Sequence, residues 1–127
     1  MLVRGASGGG VRVGAPTDAS EHAVGALSIE STPYGARRTL KLDGELDLSS
    51  ALDFFAFVAP LVYDAGVAEI ELDLSELTFL DSPGLHLILR LRTLCRENNV
   101  ALVLRCASKQ VTRLLEVTGV AVSVDAD

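Results

Sequence analysis

Residues 77–91 read LTFLDSPGLHLILRL, an apolar stretch interrupted only by the tetrapeptide DSPG at 81–84. Proline is favoured in the first turn of a helix, because its missing N–H would have no partner there. The stretch therefore predicts a strand that gives way to a helix running from Pro83 to about Glu97. Ser82, immediately before the proline, is the predicted N-cap. Junctions of this kind carry the functional residues of many α/β proteins.

The sequence before this junction alternates between strand and helix patterns. Period-two alternation predicts a hairpin, ALSIES and RRTLKLDGELDL joined by TPYGA, with a bulge or close approach at Gly44. AEIELDLSEL predicts the strand that leads into the junction. Between them we expect a helix capped by Ser49 or Ser50, with Pro60 as a kink. Its predicted core face consists of Leu52, Phe55, Val58, Ala59 and Val62.

After the junction, the asparagines before VALVLRC end the helix, and that run itself predicts a buried strand. SKQVTRLLEVTG predicts a third helix with Ser108 as its cap, and VAVSV predicts a last strand. The order is therefore β-β-α-β-α-β-α-β, an α/β fold with a mixed, mostly parallel sheet of about five strands and packed helices. We assign residues 27–127 to this single domain and residues 1–26 to a mostly disordered leader.

Composition narrows the range of functions. The chain has 127 residues, 49% of them hydrophobic, which is enough for one buried core. Its 17 acidic and 11 basic residues give a formal charge of −6, so nucleic acid and anionic membranes are not expected as direct partners. No apolar run approaches the roughly 20 residues that cross a bilayer, and we expect a cytoplasmic protein. Cys95 and Cys106 lack metal-site spacing and predict buried thiols.

Two chemical roles can be weighed for the DSPG junction besides simple helix capping. A nucleophilic serine would need a G-x-S-x-G elbow, which is absent, so we predict no catalytic residues and no enzyme activity. A phosphate carried by a serine at a helix N-terminus would be stabilised by the helix, and this would make the junction a switch.

Three stretches, LKLDGELDLSSA, IELDLSELTFLDSPGLHLIL and SKQVTRLLEVTGV, together resemble the STAS domains, and among them the bacterial anti-sigma factor antagonists. The resemblance covers about residues 27–124. It implies partner switching, in which the antagonist binds a serine-kinase-type anti-sigma factor and so frees a sigma factor, while a phosphatase reverses phosphorylation by the kinase. The partner-binding residues it implies are Gly44, Glu45, Leu46, Asp47, Asp81, Ser82 and Gly84.

The chain departs from the family pattern at Pro83, which stands where the usual phosphoacceptor hydroxyl belongs. Ser82 is then the remaining candidate acceptor. The other interpretation is docking without this phosphorylation, and it is favoured if the Ser82 oxygen is committed to capping the helix. The helix after the junction has more apolar residues than one core stripe needs, so we expect its Leu85, His86, Leu89 and Arg90 to contribute to the partner surface.

Two further possibilities involve small ligands. An anion or nucleotide could bind at the Pro83 helix terminus, which would make the domain a ligand-sensing module of a signalling assembly. The carboxylates of Asp43, Asp47, Asp73 and Asp81 could gather near one sheet edge and attract magnesium, although strand-end acids are more often solvated or capping groups. We therefore assign no metal site and no cofactor.

Overall fold

A computed structural model of the protein describes residues 11–13, 20–24, 27–105 and 108–119, with the first two ranges described at the level of the backbone. Its elements follow in chain order. The strands are β1 Val11–Val13, β2 Ser20–Val24, β3 Leu27–Tyr34, β4 Arg37–Leu46, β5 Glu69–Leu80 and β6 Ala101–Arg105. The helices are α1 Ala51–Val62, α2 Ser82–Glu97 and α3 Lys109–Glu116.

The described strands form one mixed sheet in the order β1-β2-β3-β4-β5-β6. From β1 to β4 the neighbours are antiparallel, whereas β4, β5 and β6 are parallel. The α/β class and the element order from the β3–β4 hairpin to α3 are confirmed. Among the described strands, those joined through α1 and α2 are parallel as predicted, and two of the antiparallel pairs involve β1 and β2, which were not predicted.

On its N-terminal side the sheet is larger than predicted. The strands β1 and β2 fall within the predicted leader, where the sequence shows no sustained alternation, and β2 pairs with β3. The predicted last strand, VAVSV, and Cys106 lie outside the described residues. No helix within the described part is both long and apolar enough to cross a membrane.

The core lies on one face of the sheet. In β5, the residues Ile70, Leu72 and Leu74 are fully buried, as period-two alternation predicts. They belong to the same apolar cluster as Phe54 of α1 and Ile88 of α2, so both helices cover this face. Burying each such side chain contributes about 1.5–3 kcal/mol.

The buried face of α1 is rotated relative to the prediction. It consists of Ala51, Phe54, Val58 and Val62, and the helix continues through Pro60. Leu52, which was predicted to face the core, is 73% exposed. Successive helical residues differ by about 100°, so moving the stripe by one residue, from Phe55 to Phe54, turns Leu52 toward solvent.

A partly buried ion pair lies on the opposite face of the sheet. The Glu71 carboxylate of β5 accepts a hydrogen bond of 2.9 Å from Thr39 of β4 and pairs with Arg105 of β6. Burial raises the pKa of Glu71, but the hydrogen bonds from Arg105 and Thr39 outweigh it and hold the pKa below its ordinary value. These side-chain contacts connect the three parallel strands β4, β5 and β6.

Candidate partner-binding surface

The end of β4 and the β5–α2 junction meet at one end of the sheet. Leu46 and Leu80 are register partners in neighbouring parallel strands, so the segments that leave the two strands lie side by side. The Asp81 amide donates to the Leu46 carbonyl at 3.4 Å. The two motifs predicted to act together, 44–47 and 81–84, are therefore brought together by the strand pairing.

Asp81, rather than Ser82, is the N-cap of α2. One carboxylate oxygen of Asp81 accepts from the Gly84 amide at 3.0 Å, and the other accepts from the Leu48 amide at 3.2 Å. The prediction of a Ser82 cap was wrong, because a carboxylate can satisfy the helix and the neighbouring loop at once, and the helix begins one residue earlier, at Ser82.

Ser82 thereby becomes an exposed first-turn residue. Its hydroxyl makes no hydrogen bond to any residue in the described part of the chain. Pro83 follows in the first turn, as predicted. Capping therefore does not occupy the Ser82 oxygen. The reason given above for docking without phosphorylation no longer holds.

Gly84 and Leu46 form the packed interior of the junction. Both are buried, so neither presents a side chain to a partner. A Cβ built on Gly84 would lie 2.3 Å from the Leu46 carbonyl oxygen, far inside van der Waals contact. Glycine is required here because the α2 backbone lies directly on the end of β4.

The Gly44–Asp47 segment is bent by irregular pairing. Gly44 has a φ of 115°, and the register with β5 shifts next to it, which confirms the predicted interruption. The Thr78 hydroxyl donates to the Gly44 carbonyl at 3.0 Å and fixes the bend. Glu45 is left exposed beside it.

Asp47 organises the turn into α1. Its carboxylate accepts from the amide and the hydroxyl of Ser49, at 2.9 and 2.7 Å, and the Ser49 hydroxyl bond is the main cause that lowers the pKa of Asp47. Ser50 occupies the N-cap position of α1, in agreement with one of the two predicted caps. Its hydroxyl nevertheless makes no cap bond and instead donates to the Glu45 carbonyl at 2.9 Å.

Two exposed leucines border this turn, and sequence reasoning missed both as surface residues. Leu48 is 75% exposed and Leu52 is 73% exposed. The bond from the Leu48 amide to Asp81 holds this leucine beside the start of α2. The sequence does give a signal for Leu48, because this apolar residue lies inside the polar loop DLSS. A loop offers no strand or helix face on which such a side chain could be buried.

The outer side of α2 continues the surface. Ser82, His86 and Arg90 are all exposed and recur every four residues, so they share one helix face. Leu85 and Leu89 are half-buried beside them. On this side of α2 the apolar pair is therefore the more buried, and the three polar residues are the more exposed.

The far end of this face borders α1. The Arg90 guanidinium lies 5.4 Å from the centre of the Phe55 ring, a cation–π contact across the two helices. An open groove of about 410 Å³ follows, lined by Phe55, His86, Leu89, Arg90, Thr93, Leu94 and Glu97. The cation is thereby held at a fixed place on an apolar surface.

The positions of Asp81 and Asp47 disfavour the two small ligands considered above, an anion at the start of α2 and a metal ion at the sheet edge. Asp81 places a carboxylate on the first turn of α2, where an added anion would have to bind, and like charges repel there. Within the described residues no group of three or more His, Cys, Asp or Glu side chains is placed to hold a metal ion. Asp47 and Asp81 instead direct their oxygens to the hydroxyl and amides of the turn.

The fold and the sequence motifs identify the class of protein. A family model described as "Mlab, STAS domain" matches residues 33–124, and the chain belongs to the STAS domain family. The predicted family is thus confirmed.

Individual relatives within this family are named more specifically. An anti-sigma-B factor antagonist from Staphylococcus aureus (strain NCTC 8325 / PS 47) is 29% identical over 93 residues, which make up 73% of this chain and 85% of the relative. Among solved structures, the anti-sigma factor antagonist SpoIIAA in its unphosphorylated form has a TM-score of 0.69 at 20% identity, covering 80% of this chain and 90% of that one.

A second solved structure, an anti-sigma factor antagonist from Mycobacterium paratuberculosis, has a TM-score of 0.62 at 17% identity. It covers 80% of this chain and 86% of its own. The structural likenesses establish the fold. The relatives are named as regulatory antagonists and not as enzymes, in agreement with the predicted lack of enzyme activity.

Proposed function

We propose that this protein is an anti-sigma factor antagonist that binds a serine-kinase-type anti-sigma factor and so frees a sigma factor in the cytoplasm. The binding site would be the junction surface, which we define as Glu45, Leu48, Leu52, Ser82, His86 and Arg90. The observation that carries the proposal is the exposed Leu48, whose amide is bonded to Asp81 next to the free Ser82 hydroxyl. The names of the relatives supply the class of partner.

The junction surface has the composition of a protein interface. Leu48 and Leu52 expose most of their side chains, and burying each against a partner would contribute about 1.5–3 kcal/mol before the costs of association. His86 and Arg90 would form its polar rim, where charge influences the choice of partner and the association rate.

Phosphorylation of Ser82 would act on this surface directly. The exposed hydroxyl lies in the first turn of α2, where phosphorylation would add a charge of about −1.5 to −2 next to the Asp81 carboxylate. The same charge would stand beside Leu48 and oppose its burial by a partner.

Binding to a purified serine-kinase-type anti-sigma factor from the source cell tests the interface. We expect Leu48→Asp and Ser82→Glu each to weaken binding by about tenfold or more, since each places a charge in the buried centre. Tyr34→Asp is the matched control, because Tyr34 is 59% exposed at the hairpin turn, at the other end of β4. Equal loss in all three variants, or in none, would contradict the proposed site.

Intact-mass analysis after incubation with ATP and the same anti-sigma factor tests the switch. We expect one phosphate on the wild type and none on Ser82→Ala, while Ser49→Ala, an exposed serine across the turn, still accepts one. A phosphatase should then restore binding. A protein that binds the partner but never gains phosphate would leave the antagonist role standing and refute the Ser82 switch.

A further inference from the structure

A second groove lies between the end of β5 and α3. It has a volume of about 320 Å³, at the lower end of the roughly 300–1,000 Å³ that small-molecule sites occupy. We call it the α3 groove and define it by Thr78, Phe79, Leu80, Arg113, Leu114 and Val117. None of these residues belongs to the junction surface.

The groove is mainly apolar and remains open to solvent. Phe79 is 47% exposed and Val117 is 80% exposed, although both are large hydrophobic residues. Leu114 is half-buried, while α3 directs Val111 and Leu115 into the core. Exposed apolar side chains that converge on one concavity indicate a binding site, because single scattered ones would not form a groove.

A cation stands at the edge of this groove. Arg113 is exposed, and its guanidinium forms no ion pair with another residue in the described ranges. The chain carries a formal charge of −6, so an unpaired guanidinium at the edge of an apolar groove is a local exception to the prevailing charge. Guanidinium groups bind carboxylates with paired hydrogen bonds.

We propose that the α3 groove binds a small amphipathic carboxylate. The apolar body of the ligand lies against Phe79, Leu114 and Val117, and its carboxylate pairs with Arg113. The limited volume favours a single short chain or ring over a larger cofactor. The groove shares no residue with the junction surface, so substitutions can address the two sites separately.

Titration of the full-length, ¹⁵N-labelled protein with decanoate, and separately with decanol as its uncharged counterpart, tests the proposal. We expect saturable amide shifts at Phe79, Leu114 and Val117 with both compounds. Arg113→Gln should weaken decanoate binding by about tenfold and leave decanol binding unchanged, because only the carboxylate needs the guanidinium. Val117→Asn should weaken both.

Arg96→Gln supplies the matched control, since it removes an exposed cation from α2 and belongs neither to the α3 groove nor to the junction surface. Shifts that fail to saturate would overturn the proposal. So would shifts that map to other residues, or a loss of decanoate binding as large in Arg96→Gln as in Arg113→Gln. Each of these results leaves the test of the junction surface unaffected, because that test measures a protein partner.

Discussion

Replacing Gly84 with alanine tests the closest contact in the junction. The added methyl group would lie 2.3 Å from the Leu46 carbonyl oxygen and 3.0 Å from the carbonyl carbon and Cγ of Leu46. The nearest atom belongs to the backbone of the central strand β4, so no side-chain rotation can relieve the clash. To restore ordinary contact, α2 and β4 must separate by about 1 Å, which disturbs the core that both elements share.

Two opposing effects determine how much Gly84→Ala changes the free energy of unfolding. Alanine favours a helix over glycine by about 1 kcal/mol. Overpacking a buried site costs about 1–3 kcal/mol and sometimes more, and a backbone contact belongs at the upper end of that range. We therefore expect Gly84→Ala to lower the free energy of unfolding by about 2 kcal/mol, which is about 5–10 °C in Tm for a domain of this size.

Urea and thermal unfolding followed by circular dichroism measure this difference. Ser82→Ala, two residues earlier in the same helix and exposed, is the control and should change stability by no more than about 0.5 kcal/mol. A Gly84→Ala protein as stable as the wild type, or more stable through its better helix propensity, would refute the argument. It would mean that α2 is not held against Leu46.

Two further changes test the groups that fix the fold around the surface. Asp81→Ala should cost about 1–2 kcal/mol in urea unfolding, because it removes the cap of α2 and the bond to the Leu48 amide, whereas Asp81→Ser should recover most of the loss by restoring the cap. Glu71→Gln should cost about 2 kcal/mol near neutral pH, because it removes the negative charge from the hydrogen-bonded contact with Arg105. The folded-state pKa of Glu71 is lowered from 4.5, so its contribution is complete above that value, and the difference from wild type should shrink as the pH falls below it.

Each of these two predictions has a result that would contradict it. For Asp81, equal stability of the alanine and serine variants would mean that the cap bond contributes nothing measurable. For Glu71, a stability difference that stays constant from about pH 7 to pH 3 would mean that the carboxylate titrates alike in the folded and unfolded states.

The order of the elements was readable from local patterns. Alternation in β5, helical spacing in α2 and the cap at Ser108, which accepts from the Val111 amide at 3.2 Å, each depend on residues close together in the chain. The motifs at 44–47 and 81–84 could also be assigned to one end of the sheet, because parallel strands place their carboxyl ends together.

The details of the surface depended on packing. Phe54 and Phe55 are equally apolar, so residue type does not decide which of them faces the core. The choice sets the rotation of α1, and that rotation determines whether Leu52 is buried or exposed. The α3 groove likewise requires β5 and α3 to be adjacent, and their sequences lie about 30 residues apart.

The sequence by itself determined the α/β class, the strand–helix junction, the family and the position of Ser82 at the start of a helix. Tertiary structure decided that Asp81 caps that helix while Ser82 remains free, that Gly84 and Leu46 are interior, and that Leu48 stands on the surface. The physical reason is the bond from the Leu48 amide to Asp81, which joins residues 33 positions apart. Local propensity ranks serine and aspartate alike as caps, and only the neighbouring loop, brought there by strand pairing, selects between them.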